Sequence, residues 1–263
     1  MNSNILEKIA ASTRRRVEAE KLKVPYGRLR EEAARSRVPY DFRAEFLPEA
    51  VHVIAEIKLA SPSRGDIAPS ADPAKTARQY LDGGARAVSV LTEPEFFKGS
   101  ALYLRPVRAA CPEARLLMKD FVLDEYQLAR ARADGADCIL LIVALLGREK
   151  TPLFIRKAQE LGLACLVEVH DEEELEIALG SGATLVGVNN RDLKTLRINP
   201  DTSMRLASLA PDDVVLISES GLSSGRELIE LRNLGYRGFL VGTALMKAAS
   251  PGEALRSLLA EAR

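Results

Sequence analysis

No charge of either sign predominates in this chain. Lys plus Arg and Asp plus Glu number 37 each, for a formal net charge of zero. Such a molecule has no global field with which to hold a nucleic-acid backbone or an anionic membrane, so an anionic ligand must be held by a few local groups. Cysteine is scarce: Cys111, Cys138 and Cys165 are odd in number, widely spaced and accompanied by no C-x-x-C or Cys/His cluster. That argues against a disulfide framework or a zinc site and for three reduced, mostly buried thiols. Histidine is scarcer still, with only His52 and His170, too few for a metal site built on converging imidazoles. The longest apolar run, 138–146, is too short to span a bilayer. The N-terminus lacks the apolar core of a secretion signal; Arg14, Arg15 and Arg16 follow a short amphipathic stretch instead. The expectation is a cytoplasmic protein with no nucleic-acid or membrane partner.

What is present separates into two parts. Residues 1–48 are highly charged and helical in character. Asn4 followed by Glu7 resembles a capping box, and Ile5, Leu6, Ile9 and Val17 form a helical apolar stripe. A second short helix is expected over 28–35, after the break at Pro25. This segment cannot bury much surface alone, so it is expected to dock on residues 49–263 and form a single structural domain with them.

From Val51 onward, short apolar runs alternate with amphipathic stretches. The strand candidates are 51–57, 87–91, 115–118, 137–142, 164–167, 184–188, 214–218 and 238–241. The helix candidates lie near 72–82, 100–110, 123–134, 148–161, 171–180, 201–208, 223–234 and 251–262. Gly84, Gly135, Gly182 and Gly235 each stand shortly ahead of a strand, where a left-handed residue would end the preceding helix. Near-continuous apolar strands read as buried on both faces, which argues for a parallel sheet. Eight such units in a chain of this length predict an α/β fold, a (β/α)8 TIM barrel with an N-terminal helical extension. A doubly wound open sheet would more commonly carry fewer strands and a glycine-rich first turn, and no G-x-G-x-x-G follows the first strand.

The chemistry is signalled where charges interrupt the apolar runs. In a barrel enzyme the catalytic groups stand at the C-terminal ends of the strands. Here the ends read Ala55-Glu56-Ile57-Lys58, Met118-Lys119-Asp120, Val167-Glu168-Val169-His170, Val188-Asn189-Asn190-Arg191 and Ser218-Glu219-Ser220-Gly221. Any one such residue could be a solvated rim charge. On this fold, Glu56, Lys58, Lys119, Glu168, Asn189 and Glu219 are expected to converge, and two lysines among three carboxylates would perturb one another's protonation. Ser220-Gly221-Leu222-Ser223 and Gly242-Thr243-Ala244 follow the last two strands, where barrels commonly seat phosphate on backbone N–H groups and helix N-termini.

The stretch Ala55 to Gly65 (AEIKLASPSRG) resembles the signature of the indole-3-glycerol-phosphate synthase family. So, in family order, do Leu91-Thr92-Glu93 with Phe96-Phe97-Lys98-Gly99, Met118-Lys119-Asp120-Phe121, Leu166-Val167-Glu168-Val169-His170, Asn189-Asn190-Arg191-Asp192-Leu193, Ser218-Glu219-Ser220-Gly221 and Val241-Gly242-Thr243-Ala244-Leu245-Met246. The resemblance covers nearly the whole chain. It implies ring closure of 1-(2-carboxyphenylamino)-1-deoxyribulose 5-phosphate with loss of carbon dioxide and water, using no cofactor and no metal. It implies Lys119 as general acid on the substrate carbonyl, Glu168 as general base in dehydration, and Lys58 paired with the anthranilate carboxylate. Glu56, Asn189 and Glu219 would orient or polarise these groups. Ser61, Gly221, Gly242 and Thr243 would hold phosphate, Phe97 and Phe121 would pack near the aromatic ring, and Arg191 and Ser220 would join them in binding substrate. A lysine acting as acid among neighbouring cations is expected to have its proton affinity lowered.

Three positions depart from the family's usual residues: Leu59, where a basic residue is common; Met118, where arginine or cysteine is common; and Thr243, where glutamate or serine is usual. None is a proposed proton donor. A phosphoribosylanthranilate isomerase would instead bring a catalytic cysteine to the first strand end, where Glu56 and Lys58 stand. A metal-dependent epimerase would need converging histidines, whereas His52 lies at a strand start and should face the opposite end. A non-catalytic anion-binding barrel would not need two lysines opposite glutamates. The partner expected is a small phosphorylated molecule, bound by a monomer or weak homo-oligomer.

Overall fold

The computed structural model describes residues 4–263. Eight parallel strands, β1 His52–Ile57, β2 Ala87–Leu91, β3 Leu116–Lys119, β4 Cys138–Ile142, β5 Ala164–Val169, β6 Leu185–Asn189, β7 Val215–Glu219 and β8 Gly238–Val241, follow one another around a closed barrel. β1 closes the ring by pairing with β2 on one side and β8 on the other. Almost every strand residue is buried, as a sheet covered on both faces requires.

Side chains alternate across a strand, so one set of positions points into the barrel and the other toward the helices. Ile54, Leu117, Leu140, Leu166, Leu185, Ile217 and Leu240 fill the interior, with the side chains between them in the layer under the helices. Two residues further along four of these inward columns stand Glu56, Lys119, Glu168 and Glu219, and four along from Leu185 stands Asn189. The apolar interior therefore gives way, at the C-terminal end, to a polar rim that draws on most of the strands. The strands run slightly later than the sequence pattern suggests. β3, β6 and β7 begin one residue on and include Lys119, Asn189 and Glu219, and β5 extends through Glu168 to Val169. The backbone pairing of these strands thus holds the polar residues directly; they are not loop residues.

Gly84, Gly135, Gly182 and Gly235 all carry positive φ (102°, 90°, 82° and 103°), as expected of residues that end helices in the left-handed region. The helix expected from 148 begins earlier. Helical residues run over Val143–Glu160, broken at Gly147 (φ 63°, ψ −176°). The apolar stretch 138–146 thus divides into a strand and a helical turn, a split that periodicity in so short a run cannot reveal.

Ahead of the barrel lie α1, Ile5–Lys23, and α2, Tyr26–Arg35, separated at Pro25. Asn4 Oδ1 caps α1 by accepting from Glu7 N (2.9 Å). Leu6 and Ile9 of α1 join the cluster that contains Phe121 at the barrel's C-terminal end, while Val17 packs with Leu29 of α2, Tyr126 and Ala129. Polar ties run alongside: Arg16 to Asp120 (2.7 Å) and Lys21 to Asp124 (2.7 Å). The segment after α2 is held at the other end of the barrel by Asp137. Its fully buried carboxylate accepts from Arg37 Nη1 (2.6 Å), Tyr40 N (2.8 Å), Arg108 Nη2 (2.5 Å) and Leu116 N (2.8 Å). His52 lies at the start of β1, its ring against Phe46 and its Nε2 3.0 Å from Pro48 O, at the end away from the polar rim.

Candidate active site

A cavity of about 400 Å³ opens at the C-terminal end of the barrel. Glu56, Lys58, Lys119, Glu168, Asn189 and Glu219 all line it, with Phe97, Phe121, Arg191, Ser220, Gly221, Gly242 and Thr243 around them. Ser61 does not. It sits in the short hairpin that pairs Ala60–Ser61 with Gly65–Asp66, and lines a recess of about 70 Å³ beneath Ile5, Leu6 and Ile9 of α1. The recess adjoins the cavity through Lys58, Phe97, Phe121, Arg191 and Thr243, but it is not beside the Ser220-Gly221 loop.

Two ion-paired groups form the floor. Lys58 Nζ meets Glu56 Oε1 at 2.6 Å. Lys119 Nζ lies between two carboxylates, 3.2 Å from Glu168 Oε2 and 3.1 Å from Glu219 Oε2. Glu56, Glu168 and Glu219 are nearly inaccessible to solvent. Burial disfavours the ammonium of Lys119, yet the carboxylates of Glu219, Glu168 and Glu56 outweigh it and hold the group well above the ordinary lysine range. This reverses the expectation of a lowered value: the groups packed against Lys119 are anions. Of the two carboxylates that share it, Glu168 is driven the opposite way to Glu219. Burial acts against its charge, but Lys119, His170 and a hydrogen bond from Asn189 keep it well below the usual range. For Glu219 burial dominates, and with Glu168 and Glu56 nearby its carboxyl is pushed up to about 7. Its Oε1 is buried with no hydrogen-bond partner. One carboxylate of the pair is firmly ionised and the other can carry a proton near neutrality.

Glycines make room for these carboxylates. A Cβ on Gly187 would overlap Glu219 Oε1, and one on Gly242 would lie 2.6 Å from Glu56 Oε1. Ser220 (φ 68°) and Gly221 (φ 87°) turn the chain in the left-handed region beyond β7. The loops there and at Gly242 and Thr243 line the cavity. The helix after β7, Gly225–Asn233, contributes less than expected. Ser223 N and Ser224 N already donate to Glu227 Oε2 (2.8 Å each), the latter as part of a capping box, so these two N–H groups are not free to face the cavity.

Two residues to which the sequence reading assigns no role, Glu93 and Asp120, support the side of the cavity formed by Phe97 and Phe121. Glu93 accepts from the N–H groups of Glu95, Phe96 and Phe97 (3.0, 2.7 and 3.1 Å), capping the short turn that presents Phe97. Asp120 accepts from Thr92 Oγ1 (2.6 Å), Arg16 Nη2 (2.7 Å) and Phe121 N (2.8 Å) and so fixes the next residue, Phe121. The two rings lie 5.9 Å apart, tilted by 36°. Glu93 before Pro94 is a helix-start signal visible in sequence. Asp120 is not, because its partner Arg16 is more than a hundred residues away. His170, in sequence only one of two histidines, also reaches the site through Glu168. Among the described residues, no group of three or more His, Cys, Asp or Glu side chains is placed to hold a metal ion.

The sequence matches the family described as Indole-3-glycerol phosphate synthase over residues 6–258. It is 44% identical to the indole-3-glycerol phosphate synthase of Carboxydothermus hydrogenoformans, across 97% of this chain and 99% of the relative. It is 45% identical to that of Laribacter hongkongensis, across 98% and 100%. Among solved structures, a 3-hexulose-6-phosphate synthase superposes with a TM-score of 0.64 at 15% identity, over 81% of this chain and all of the other. A thiamine phosphate pyrophosphorylase from Pyrococcus furiosus does so with a TM-score of 0.62 at 17% identity, over 84% and 98%. At these identities the structural likeness shows the barrel fold alone.

Proposed function

Because the chain belongs to the indole-3-glycerol phosphate synthase family, we propose that its polar rim divides the family's ring closure among Lys119, Glu168 and Lys58. The activity is that of a carboxy-lyase in tryptophan biosynthesis. The substrate is 1-(2-carboxyphenylamino)-1-deoxyribulose 5-phosphate. Its phosphate lies against the loops at Ser220-Gly221 and Gly242-Thr243. Its aromatic ring lies against Phe97 and Phe121, and its carboxylate pairs with Lys58, with Arg191 close by.

Lys119 donates to the ribulose carbonyl. The aromatic carbon bearing the carboxylate attacks the carbonyl carbon, and the oxygen takes the proton as it becomes an alkoxide. A cation held this firmly gives up its proton only to a strong base, which an alkoxide is and a ground-state carbonyl is not. The donor is therefore effective mainly in the transition state. The C–C bond to the carboxylate breaks, its electron pair restores the aromatic ring, and carbon dioxide leaves. Glu168 then removes a proton from the adjacent carbon while the ammonium of Lys58 protonates the departing hydroxyl, so that water leaves and the pyrrole double bond forms. Glu56, Asn189 and Glu219 hold Lys58, Glu168 and Lys119 in place.

The observation that carries this reading is the convergence of the Glu56–Lys58 pair and the Glu168–Lys119–Glu219 group on one cavity, beside a glycine-lined end. The direct experiment is to supply the carboxyphenylamino-deoxyribulose phosphate and follow indole fluorescence; absence of product would overturn it. The same reading places the enzyme in the cytoplasm, as a monomer or weak homo-oligomer. It treats residues 1–48 as an extension docked on the barrel of 49–263. No helix among the described residues is long and apolar enough to cross a membrane.

A further inference from the structure

We propose that His170 is a positioning residue for Glu168. Lodged between the carboxylates of Glu168 and Glu174, it acts as a doubly protonated bridge that anchors the base and keeps it ionised when Lys119 turns to the substrate. The proposal rests on the reading of Glu168 as the base.

His170 is the first residue beyond β5, two after Glu168, so both side chains leave the strand on the same side. Its Nδ1 lies 2.9 Å from Glu174 Oε2, and its backbone N–H donates to the same oxygen at 2.9 Å. Glu174 is itself held, for it stands in the first turn of the helix Glu172–Gly180 and its N–H donates to Asp171 Oδ1 (2.9 Å). The other ring nitrogen, Nε2, is buried, has no hydrogen-bond partner of good geometry, and lies 3.3 Å from Glu168 Oε1. A small rotation of either side chain would complete that bond. Glu168 meanwhile directs its second oxygen, Oε2, to Lys119 at 3.2 Å. The two carboxylate oxygens therefore have different partners, one beside the imidazole and one beside the ammonium that faces the cavity.

The charged groups facing the imidazole are Glu168 of β5 and Glu174 of the following helix. Lys119 of β3 and Glu219 of β7 lie beyond Glu168, and Asn189 of β6 reaches Glu168 without charge. Burial opposes protonation of the ring, but the two carboxylates outweigh it and push His170 up to about 10, so it is a cation at neutral pH. The consequence concerns the step at which Lys119 commits to the carbonyl. Glu168, buried in the site, then loses the counter-ion on its cavity side. Without a second cation it would tend to take up a proton or swing away before dehydration. His170 remains in place, holds Oε1, and leaves Oε2 free to receive the proton from carbon.

With only two histidines in the chain, the ring nitrogens of His170 can be followed by NMR after assignment with His170→Gln. The wild-type ring should stay doubly protonated well above the ordinary histidine midpoint of about 6.5, and Glu174→Gln should lower its midpoint by about one unit or more. In the kcat–pH profile, His170→Gln removes a cation beside a carboxylate. Glu168 should then protonate more readily, and the acid limb should move to higher pH by about one unit or more. An ordinary midpoint for the wild-type imidazole would overturn the bridge, whatever the variants do. So would a His170→Gln enzyme that is less heat-stable but keeps its acid limb where it was, because a merely structural histidine would behave that way. Failure of the wild-type enzyme to form indole would instead remove the reading of Glu168 as base, and the imidazole titration would still decide whether the bridge exists.

Discussion

Gly187 of β6 carries no functional group, yet replacing it with alanine should damage the site. The added Cβ would overlap Glu219 Oε1 and would lie 3.3 Å from both Glu219 Cδ and Leu166 Cδ1. Leu166 is fully buried in the barrel interior and has nowhere to go. Glu219 therefore has to yield, and its ionic anchor is Lys119 at 3.1 Å. Relieving the overlap means moving the carboxylate by about 1 Å, which lengthens that contact to about 4 Å. For the ionised form of Glu219, at an effective dielectric constant near 20, the attraction weakens by about 1–1.5 kcal/mol. Overpacking a well-filled interior costs about 1–3 kcal/mol more. The expected loss of stability is thus about 2–4 kcal/mol, measurable as a lowered midpoint in thermal unfolding. A misplacement of about 1 Å in a catalytic group costs on the order of 100-fold in rate, so indole formation should fall far more than the population of folded enzyme does. Parallel measurement of kcat and unfolding separates the two effects. A Gly187→Ala enzyme with wild-type kcat and wild-type stability would refute the arrangement of Glu219 against Gly187 and Lys119.

Lys119→Ala should lower kcat by about 10²–10⁴-fold, the contribution of a positioned general acid, with the protein still folded by circular dichroism; near-normal turnover would remove Lys119 from the chemistry. Because its neighbouring carboxylates raise the proton affinity of Lys119, the ammonium persists as pH rises through the ordinary lysine range of about 10.4. The kcat–pH profile should therefore show no alkaline limb from Lys119 below that range, and a fall in rate between about pH 7 and 9 traceable to this residue would contradict the geometry. Asp137→Asn, at the opposite end of the barrel, leaves Arg37 and Arg108 without their buried carboxylate. It should cost about 3–5 kcal/mol of stability, read by urea unfolding, while kcat of the folded enzyme stays unchanged.

Much of the fold can be read from local pattern because its causes are local. Apolar runs mark strands covered on both faces, glycines placed just before them end the helices, and their strict alternation leaves a parallel barrel as the simplest arrangement. The run 138–146 is harder to divide, since a buried strand and a buried helical turn are equally apolar. For the site, the interruption of five strand ends by charged or amide residues locates most of the polar groups that line the cavity; Arg64 and Lys247, which line it too, stand outside those strand ends. Ser61 is expected beside the phosphate loops only through the family resemblance. The hairpin that carries it folds back beneath α1, and no feature of the local sequence specifies that fold.

The chain by itself determined which residues stand at the catalytic end, because a side-chain period of two fixes which strand positions face inward and where an apolar column ends in a charge. It also determined the family, through motifs kept in order along nearly the whole length. Only the tertiary structure decided how those charges pair. It placed Lys119 between Glu168 and Glu219, reversing the direction expected for its proton affinity, and brought His170 to Glu168, Arg16 to Asp120, and Gly187 and Gly242 against the carboxylates. Electrostatic interaction energies depend on distances of a few ångströms between groups that are dozens of residues apart in the chain, and those distances do not exist until the barrel closes.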